Sequence, residues 1–466
     1  MFEEAFWFLV IGGLLVLMAI ARGLIAHLPL TGAMVYLFAG FALGPAGVGM
    51  LNPDIEGNLR LLRILTETGL VISLFAIGMY LRVPLSDRLW LLTLRLVGPA
   101  MIVTIALLYA AAHFGLGFPS SQALLLAAIL APTDPVLANE LRVKEAGDDE
   151  PLRFALSSEG GSNDGAAYPV VLLGLALCTS PTFVASLSWT LAVSVVWGIV
   201  SALGIGWVFG AGVVILATRL RTRYEQALGL EGFFALGLMA LSYGCALLAH
   251  GYAFIAVFTA GVALRREEMK ATGDKSPTEA LETVERGERE EAAKDPDLAH
   301  AYMAETMMAF AVEFERLVEF ALMLLIGSLV SAHWQPLLDW RVIWPVLFLL
   351  LVARPLATTI SLVGSSLDTH QRWLVGWLGI RGVGAFLLPP FQPRTSGPRS
   401  AKTDRAHRAR EYRAVGSPAW RERLGSAQPV LQSQVSGLAP ARELLTQARP
   451  GPVQRDVPDE NSFPGH

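Results

Sequence analysis

Apolar runs of membrane length alternate along the chain with short polar breaks. A helix crossing the hydrocarbon core needs about 20 mainly apolar residues. On that measure the pattern predicts spans at 5–27, 31–50, 60–82, 90–114, 120–140, 153–178, 187–217, 226–249, 252–265, 308–331, 341–363 and 372–390. The ninth is short and reads as half of a broken pair with the eighth. The result is an all-α polytopic membrane protein with about 12 spans. Arg and Lys in alternate breaks set the orientation. One set of breaks holds Arg22, Arg82, Arg88, Arg142, Lys144, Arg153, Arg219, Arg221, Arg223 and Arg372, whereas the other holds little beyond Arg60, Arg63 and Arg341. The first set is read as cytoplasmic. That places the N-terminus outside and the chain in a plasma or bacterial inner membrane.

Two segments depart from the apolar pattern. The break at 266–305 is cytoplasmic and mixes both signs, with Glu279, Glu282, Glu285, Arg286, Glu288, Arg289, Glu290 and Glu291 at its densest. It reads as a solvated helix and linker, with a regulatory or partner-binding segment as the alternative. After Leu388, Pro389-Pro390-Phe391-Gln392-Pro393 ends the last run, and 389–466 is rich in Arg, Pro, Ser and Gln. This composition predicts a disordered basic tail following a membrane domain at 1–388. The tail falls outside, against the positive-inside rule. Replacement of the native end by a shifted reading frame, with loss of a last helix, accounts for both facts. An uninterrupted frame at the locus would remove that expectation.

Composition agrees with the pattern. Of 466 residues 53% are hydrophobic and only 16% charged, with a mean hydropathy of +0.49, against about 25% charged in soluble proteins. The net charge of −4 is too small to single out an acidic or basic partner, and no nucleic-acid partner is expected. Cys178 and Cys245 both lie in apolar runs, so no disulfide framework, resident metal or cofactor is expected. Met-Phe-Glu-Glu at the start lacks the basic flank of a signal peptide, so the first run is expected to be retained.

The candidate chemistry lies where carboxylates interrupt hydrocarbon. Each costs about 2.5–3.5 kcal/mol at the bilayer centre on insertion scales, so such acids are rare unless used. Thr133-Asp134-Pro135 sits near the end of the fifth run, where the proline opens or kinks the helix. Backbone opened at that depth is tolerated when buried in protein or lining a wet cavity. Free carbonyls, the Thr133 hydroxyl and Asp134 then form an oxygen-rich surface suited to a hard cation; a proline kink with Asp134 capping the next segment is the alternative. On the sixth run, Asp164 lies about 15 Å from the cytoplasmic end, near the midplane. Glu159 and Asn163 share one face, while Asp164 is turned about 140° from Glu159. Gly160, Gly161 and Gly165 allow close helix approach. Read alone, Gly-Gly-Ser-Asn-Asp-Gly is a turn, but its apolar flanks favour a helix.

Arg354 is deep in the eleventh run and needs a partner, for which Glu159 is the best unmatched acid. The twelfth run contains Gly379-Ile-Arg381-Gly382-Val-Gly384, a second interrupted segment; with the fifth it makes the paired breaks of an inverted-repeat transporter. Arg381 there offsets helix ends that face each other. Glu67 on the third run reads equally as an ion ligand or gate and as an acid near the outer interface. Glu313, Glu315, Arg316 and Glu319 have helical spacing and are expected to pair among themselves.

At these residues the chain resembles the sodium/proton exchanger branch of the monovalent cation/proton antiporters. The matching motifs are Ala-Pro-Thr133-Asp134-Pro135, Glu159 followed by Asn163-Asp164, Ala-Arg354-Pro and Gly-Ile-Arg381-Gly, in the family's order over about 5–388. The resemblance implies a thirteen-helix antiporter fold, with a dimerisation domain and a core of two inverted three-helix units with broken, crossing helices. It makes Asp164 the cation- and proton-binding carboxylate, with Asn163, Thr133 and Asp134 beside it. Glu159–Arg354 becomes a structural ion pair and a homodimer the expected assembly. An Asn-Asp pair implies electroneutral exchange. Gly160-Gly161-Ser162 departs from the family's usual Ser-Leu-Phe, and the thirteenth helix is missing.

The expected function is exchange of a monovalent cation, Na⁺ first, for H⁺ by alternating access at Asp164, a role in pH homeostasis and no enzyme chemistry. An intramembrane aspartyl hydrolase using Asp134 and Asp164 is a rival, as is a non-transporting remnant that has lost its end. Peptide cleavage in detergent discriminates the first, and cation-driven collapse of a pH gradient the second.

Overall fold

The structure, a computed structural model, describes residues 5, 8–16, 32–52, 55–133, 150–179, 184–224, 231–273, 281 and 298–379. Every regular element among them is a helix. Residues 8–16 are helical, followed by α1 (Gly32–Leu43), α2 (Ile55–Tyr80), α3 (Trp90–Gly115) and α4 (Ser120–Leu130). Next come α5 (Pro151–Thr179), α6 (Val184–Tyr224), α7 (Glu231–Leu248) and α8 (Ala253–Thr272). The last are α9 (Ala299–Ala332), α10 (Trp340–Ser361) and α11 (Thr369–Leu378). Among the described residues, five stretches are long and apolar enough to cross a membrane: Arg63–Tyr80, Trp90–Gly115, Val193–Leu220, Glu231–Leu248 and Trp340–Ser361. The protein is a multi-pass membrane protein. The tail read at 389–466 lies outside the described residues.

The helices pack as two bundles. In one, Ile72, Phe75 and Met79 of α2 meet Leu238 and Met239 of α7, Val257 and Leu264 of α8, and Met303 and Met307 of α9. In the other, Met101 and Leu108 of α3 pack on Ala127 of α4, Ala167 of α5 and Leu349 of α10. Leu92 and Leu96 of α3 and Leu156 of α5 continue that bundle to Val375 of α11. Helix α5 belongs to both, because its Phe154 inserts among Leu74 and Ile77 of α2 and Phe258 and Val262 of α8.

Backbone contact holds the first bundle together at one crossing. The Cα atoms of Gly78 on α2 and Gly261 on α8 are so close that a Cβ on Gly261 would lie 2.5 Å from the Phe75 carbonyl oxygen, and one on Gly78 would strike that of Phe258. With no hydrophobic drive between helices in lipid, such small-residue contacts supply the van der Waals packing.

Prolines shape the second bundle. Pro99 in α3 and Pro355 in α10 have no N–H, and their rings would clash with the carbonyl one turn back in a regular helix. The wider π turns Leu96–Ala100 and Leu349–Ala353 lie at these two places. Helix α11 has a defined start: Asp368 accepts from the Gln371 amide at 2.6 Å while its own N–H donates to the Gln371 side chain at 3.1 Å. This capping box satisfies two otherwise orphaned donors.

Three expectations need correction. Helix α8 is not short. It runs to Thr272, and α9 begins at Ala299, so both enter the segment read as a loop at 266–305. The reason is a buried polar network that neutralises charge at the end of α8. Arg265 donates to the Met79 carbonyl at 2.5 Å and to Glu268 at 3.2 Å; Arg82 lies 3.4 Å from the same carboxylate and donates to the Gly273 carbonyl at 2.6 Å. Thr272 closes on Glu268 Oε1 at 2.5 Å. On α9, Arg316 pairs with Glu313 at 2.9 Å as expected, but Glu315 turns inward and accepts the Ser73 hydroxyl at 2.5 Å. The third is local: the run at 187–217 is a longer helix, α6, because apolar residues continue on both sides.

Substituting Gly261 by valine should pry α2 from α8 and cost about 1–3 kcal/mol of overpacking. The measurement is the thermal midpoint of the purified protein in detergent, which should fall clearly; an unchanged midpoint would contradict the close crossing.

Candidate ion-binding site

Helix α4 stops at Leu130 and α11 at Leu378, and the residues just beyond, Thr133 and Gly379, lie against each other. A Cβ on Gly379 would be 3.0 Å from Thr133 Cγ2 and 3.2 Å from Arg354 Nε. The fifth and twelfth runs thus end their described helices at one place. Asp134, Pro135 and Arg381 lie outside the described residues.

Helix α5 runs unbroken through Glu159-Gly-Gly-Ser-Asn163-Asp164, so this stretch is helical and not a turn. Asn163 Nδ2 donates to the Thr133 carbonyl at 3.1 Å and, in a shorter contact, to Thr133 Oγ1. Both residues are buried. The two amide protons are thereby used, and Asn163 Oδ1 has no hydrogen-bond partner among the described residues. Thr133 lies past the end of α4, and its carbonyl serves the side chain of another helix. A carbonyl, a hydroxyl and an amide oxygen are hard donors of the kind that suit hard cations.

One turn earlier on α5, Glu159 Oε1 accepts from Arg354 Nη2 in a short, fully buried ion pair. Proline-widened α10 carries the guanidinium here, and Gly379 approaches it closely from the end of α11. Glu159 Oε2 and Arg354 Nε and Nη1 have no hydrogen-bond partner among the described residues. Beside Glu159, the buried Ser158 hydroxyl meets Thr93 of α3 at 2.7 Å. Sequence reasoning missed this contact, although two hydroxyl residues directly before a buried acid were a usable signal.

The far side of α5 faces the other bundle. Gly161 lies against the Phe258 ring and Gly165 against Ile255, both on α8. Asp164 sits in α5 between Asn163, which holds Thr133, and Gly165; its side chain is outside the described set. Glu67 has a different partner. It pairs with Arg63, one turn away on α2, at 2.6 Å, and both are about a third exposed.

Comparison with known proteins places the chain in a family. The family model for "sodium/hydrogen exchanger, transmembrane" matches residues 13–389. The Na⁺/H⁺ antiporter 2 of Zygosaccharomyces rouxii is 35% identical over 159 residues, which are 32% of this chain and 19% of that protein. The K⁺/H⁺ antiporter NhaP of Alkalimonas amylolytica is 24% identical over 397 residues, 82% of this chain and 60% of the relative. The matches thus span less than two thirds of either relative's length. The sodium proton antiporter MjNhaP1 from Methanocaldococcus jannaschii, solved at pH 8, superposes with a TM-score of 0.54 at 17% identity, covering 83% of this chain and 85% of that one. That likeness gives the fold, an all-helical antiporter architecture. With a family model covering most of its length, the chain belongs to the transmembrane sodium/hydrogen exchanger family.

Proposed function

We propose that the protein exchanges a monovalent cation, Na⁺ first, for H⁺ at Asp164, which presents itself alternately to the two sides of the membrane. What supports this reading is the buried Asn163–Thr133 contact where two described helices end, made by the residue that directly precedes Asp164 in the chain. Na⁺ is favoured by the Z. rouxii relative, a Na⁺/H⁺ antiporter, and K⁺ by the A. amylolytica relative, a K⁺/H⁺ antiporter. One carboxylate holds a proton or an alkali ion but not both, so each lowers the affinity for the other. Neutralising the acid makes it cheaper to move through a low-dielectric environment, so the bare anion is the state that does not cross. With a single carboxylate alternating between one proton and one univalent ion, turnover is electroneutral.

The remaining residues fall into place around this exchange. Thr133 and Asn163 are ligands or ligand holders, Asp134 adds a second carboxylate nearby, and Pro135 and Arg381 shape the paired breaks. Glu159 and Arg354 hold α5 to α10 and do not bind the transported ion. The orientation follows the positive-inside bias, with the N-terminus outside in a plasma or inner membrane, and the assembly is a homodimer.

Asp164→Asn should abolish exchange while leaving membrane insertion intact. The readout is collapse of a preset pH gradient when Na⁺ is added to inverted vesicles, and persistent cation-driven proton flux would sink the assignment. Glu159→Ala or Arg354→Ala should instead lower the yield of folded protein. Each leaves a buried charge unmatched, at a cost of about 3–5 kcal/mol. A well-folded variant of either kind with altered cation affinity would move the pair into the binding site.

A further inference from the structure

A second ion pair differs in kind from the sealed Glu159–Arg354 contact. Arg63 Nε donates to Glu67 Oε1 at 2.6 Å within α2, and the side chains are 31% and 33% exposed. Tyr168 and Tyr243, from two other helices, lie near it, and Tyr252 stands against Tyr168. Tyr168 of α5 stands edge-on to Tyr252, with ring centroids 5.3 Å apart, and Tyr243 of α7 meets Phe254 at 5.6 Å. Arg63 is within electrostatic reach of Tyr168 and Tyr243, and Glu67 of Tyr243. All three rings are half-buried. Tyr168 is one helical turn beyond Asp164, on the half of α5 that points away from Arg153 and the cytoplasm. In the orientation given above, the pair lies with these rings on the outer side of the proposed carboxylate.

An exposed carboxylate at such a place attracts alkali cations. Here it already holds a cation, a guanidinium one turn away on the same helix. We infer that Arg63 sets the affinity for cations arriving from the outer side, by occupying Glu67 and competing with them for its carboxylate. This rests on the reading of Asp164 as the exchange site and on the orientation given above. Arg63 acts through Glu67 and is a positioning residue. The pair's own strength is modest, as for other partly exposed i,i+4 pairs, so an alkali ion can compete with the guanidinium for the carboxylate.

The test compares right-side-out with inside-out membrane vesicles holding the full chain, with Na⁺ added on one face at a time. Arg63→Gln should lower the Na⁺ concentration for half-maximal exchange on the outer face by about two- to fivefold, the range of a half-exposed ion pair, and leave the cytoplasmic face unchanged. Glu67→Gln should raise it on the outer face, since it leaves an unmatched guanidinium there. Arg63→Lys should keep the native value. Opposite signs for the two partners distinguish competition from a structural pair, whose loss from either side would act alike. Equal shifts on both faces, shifts of one sign in both variants, no outer-face shift, or a lysine variant that behaves like glutamine overturns the inference. If Arg63→Gln does not insert, Glu67→Gln decides alone: a raised outer value supports the role of Arg63, and an unchanged one overturns it. Asp164→Asn is assayed in parallel; exchange that survives there defeats the Asp164 reading, while the sidedness of the Arg63 effect is still scored in the otherwise native chain.

Discussion

A charge taken into hydrocarbon must be answered by another, and the contact between Glu159 and Arg354 meets that demand where the helices of the second bundle converge. Separating α5 from α10 would strand two ions in a low-dielectric interior, where neither has water to turn to. With these helices joined, the other parts have fixed places. Asn163 lies one turn above Glu159 and reaches Thr133, and Gly379 closes against the guanidinium from the end of α11. The same rule operates at a second place. There two arginines, Arg82 and Arg265, share Glu268 and tie α2 to the last turns of α8.

Much of this was legible in the chain because hydrocarbon punishes ambiguity. Apolar runs mark helices well when every backbone group must be satisfied within the segment, and α1 to α11 fall on eleven of the twelve expected runs. The pairing of Glu159 with Arg354 followed from elimination, since few deep charges compete for each other. Gly-Gly-Ser-Asn-Asp-Gly is helical because Phe154 and the residues from Ala166 onward anchor it on either side. The glycines that would favour a turn in water are contact surfaces here.

What stayed hidden depends on distance along the chain. Arg265 and Glu268 look like the start of a loop to any local measure of polarity; only their meeting with Arg82 and Met79, nearly two hundred residues earlier, makes them interior. Glu315 shows the same limit. Its spacing from Arg316 and Glu319 defined a helix face but not which side of α9 turned toward Ser73. The π turns of α3 and α10 could be suspected from Pro99 and Pro355, yet a proline alone does not say whether a helix will kink, break or widen.

The seat of α5 on α8 has a further geometric property. Phe258 fills the notch left by Gly161, and Ile255 the notch left by Gly165. The two notches are one turn apart, about 6 Å along the axis. A Cβ at either position would strike the side chain that fills it, so turning α5 about its own axis would press a larger residue into Phe258 or Ile255. The pair of notches therefore fixes the rotational setting of the helix that carries Asp164.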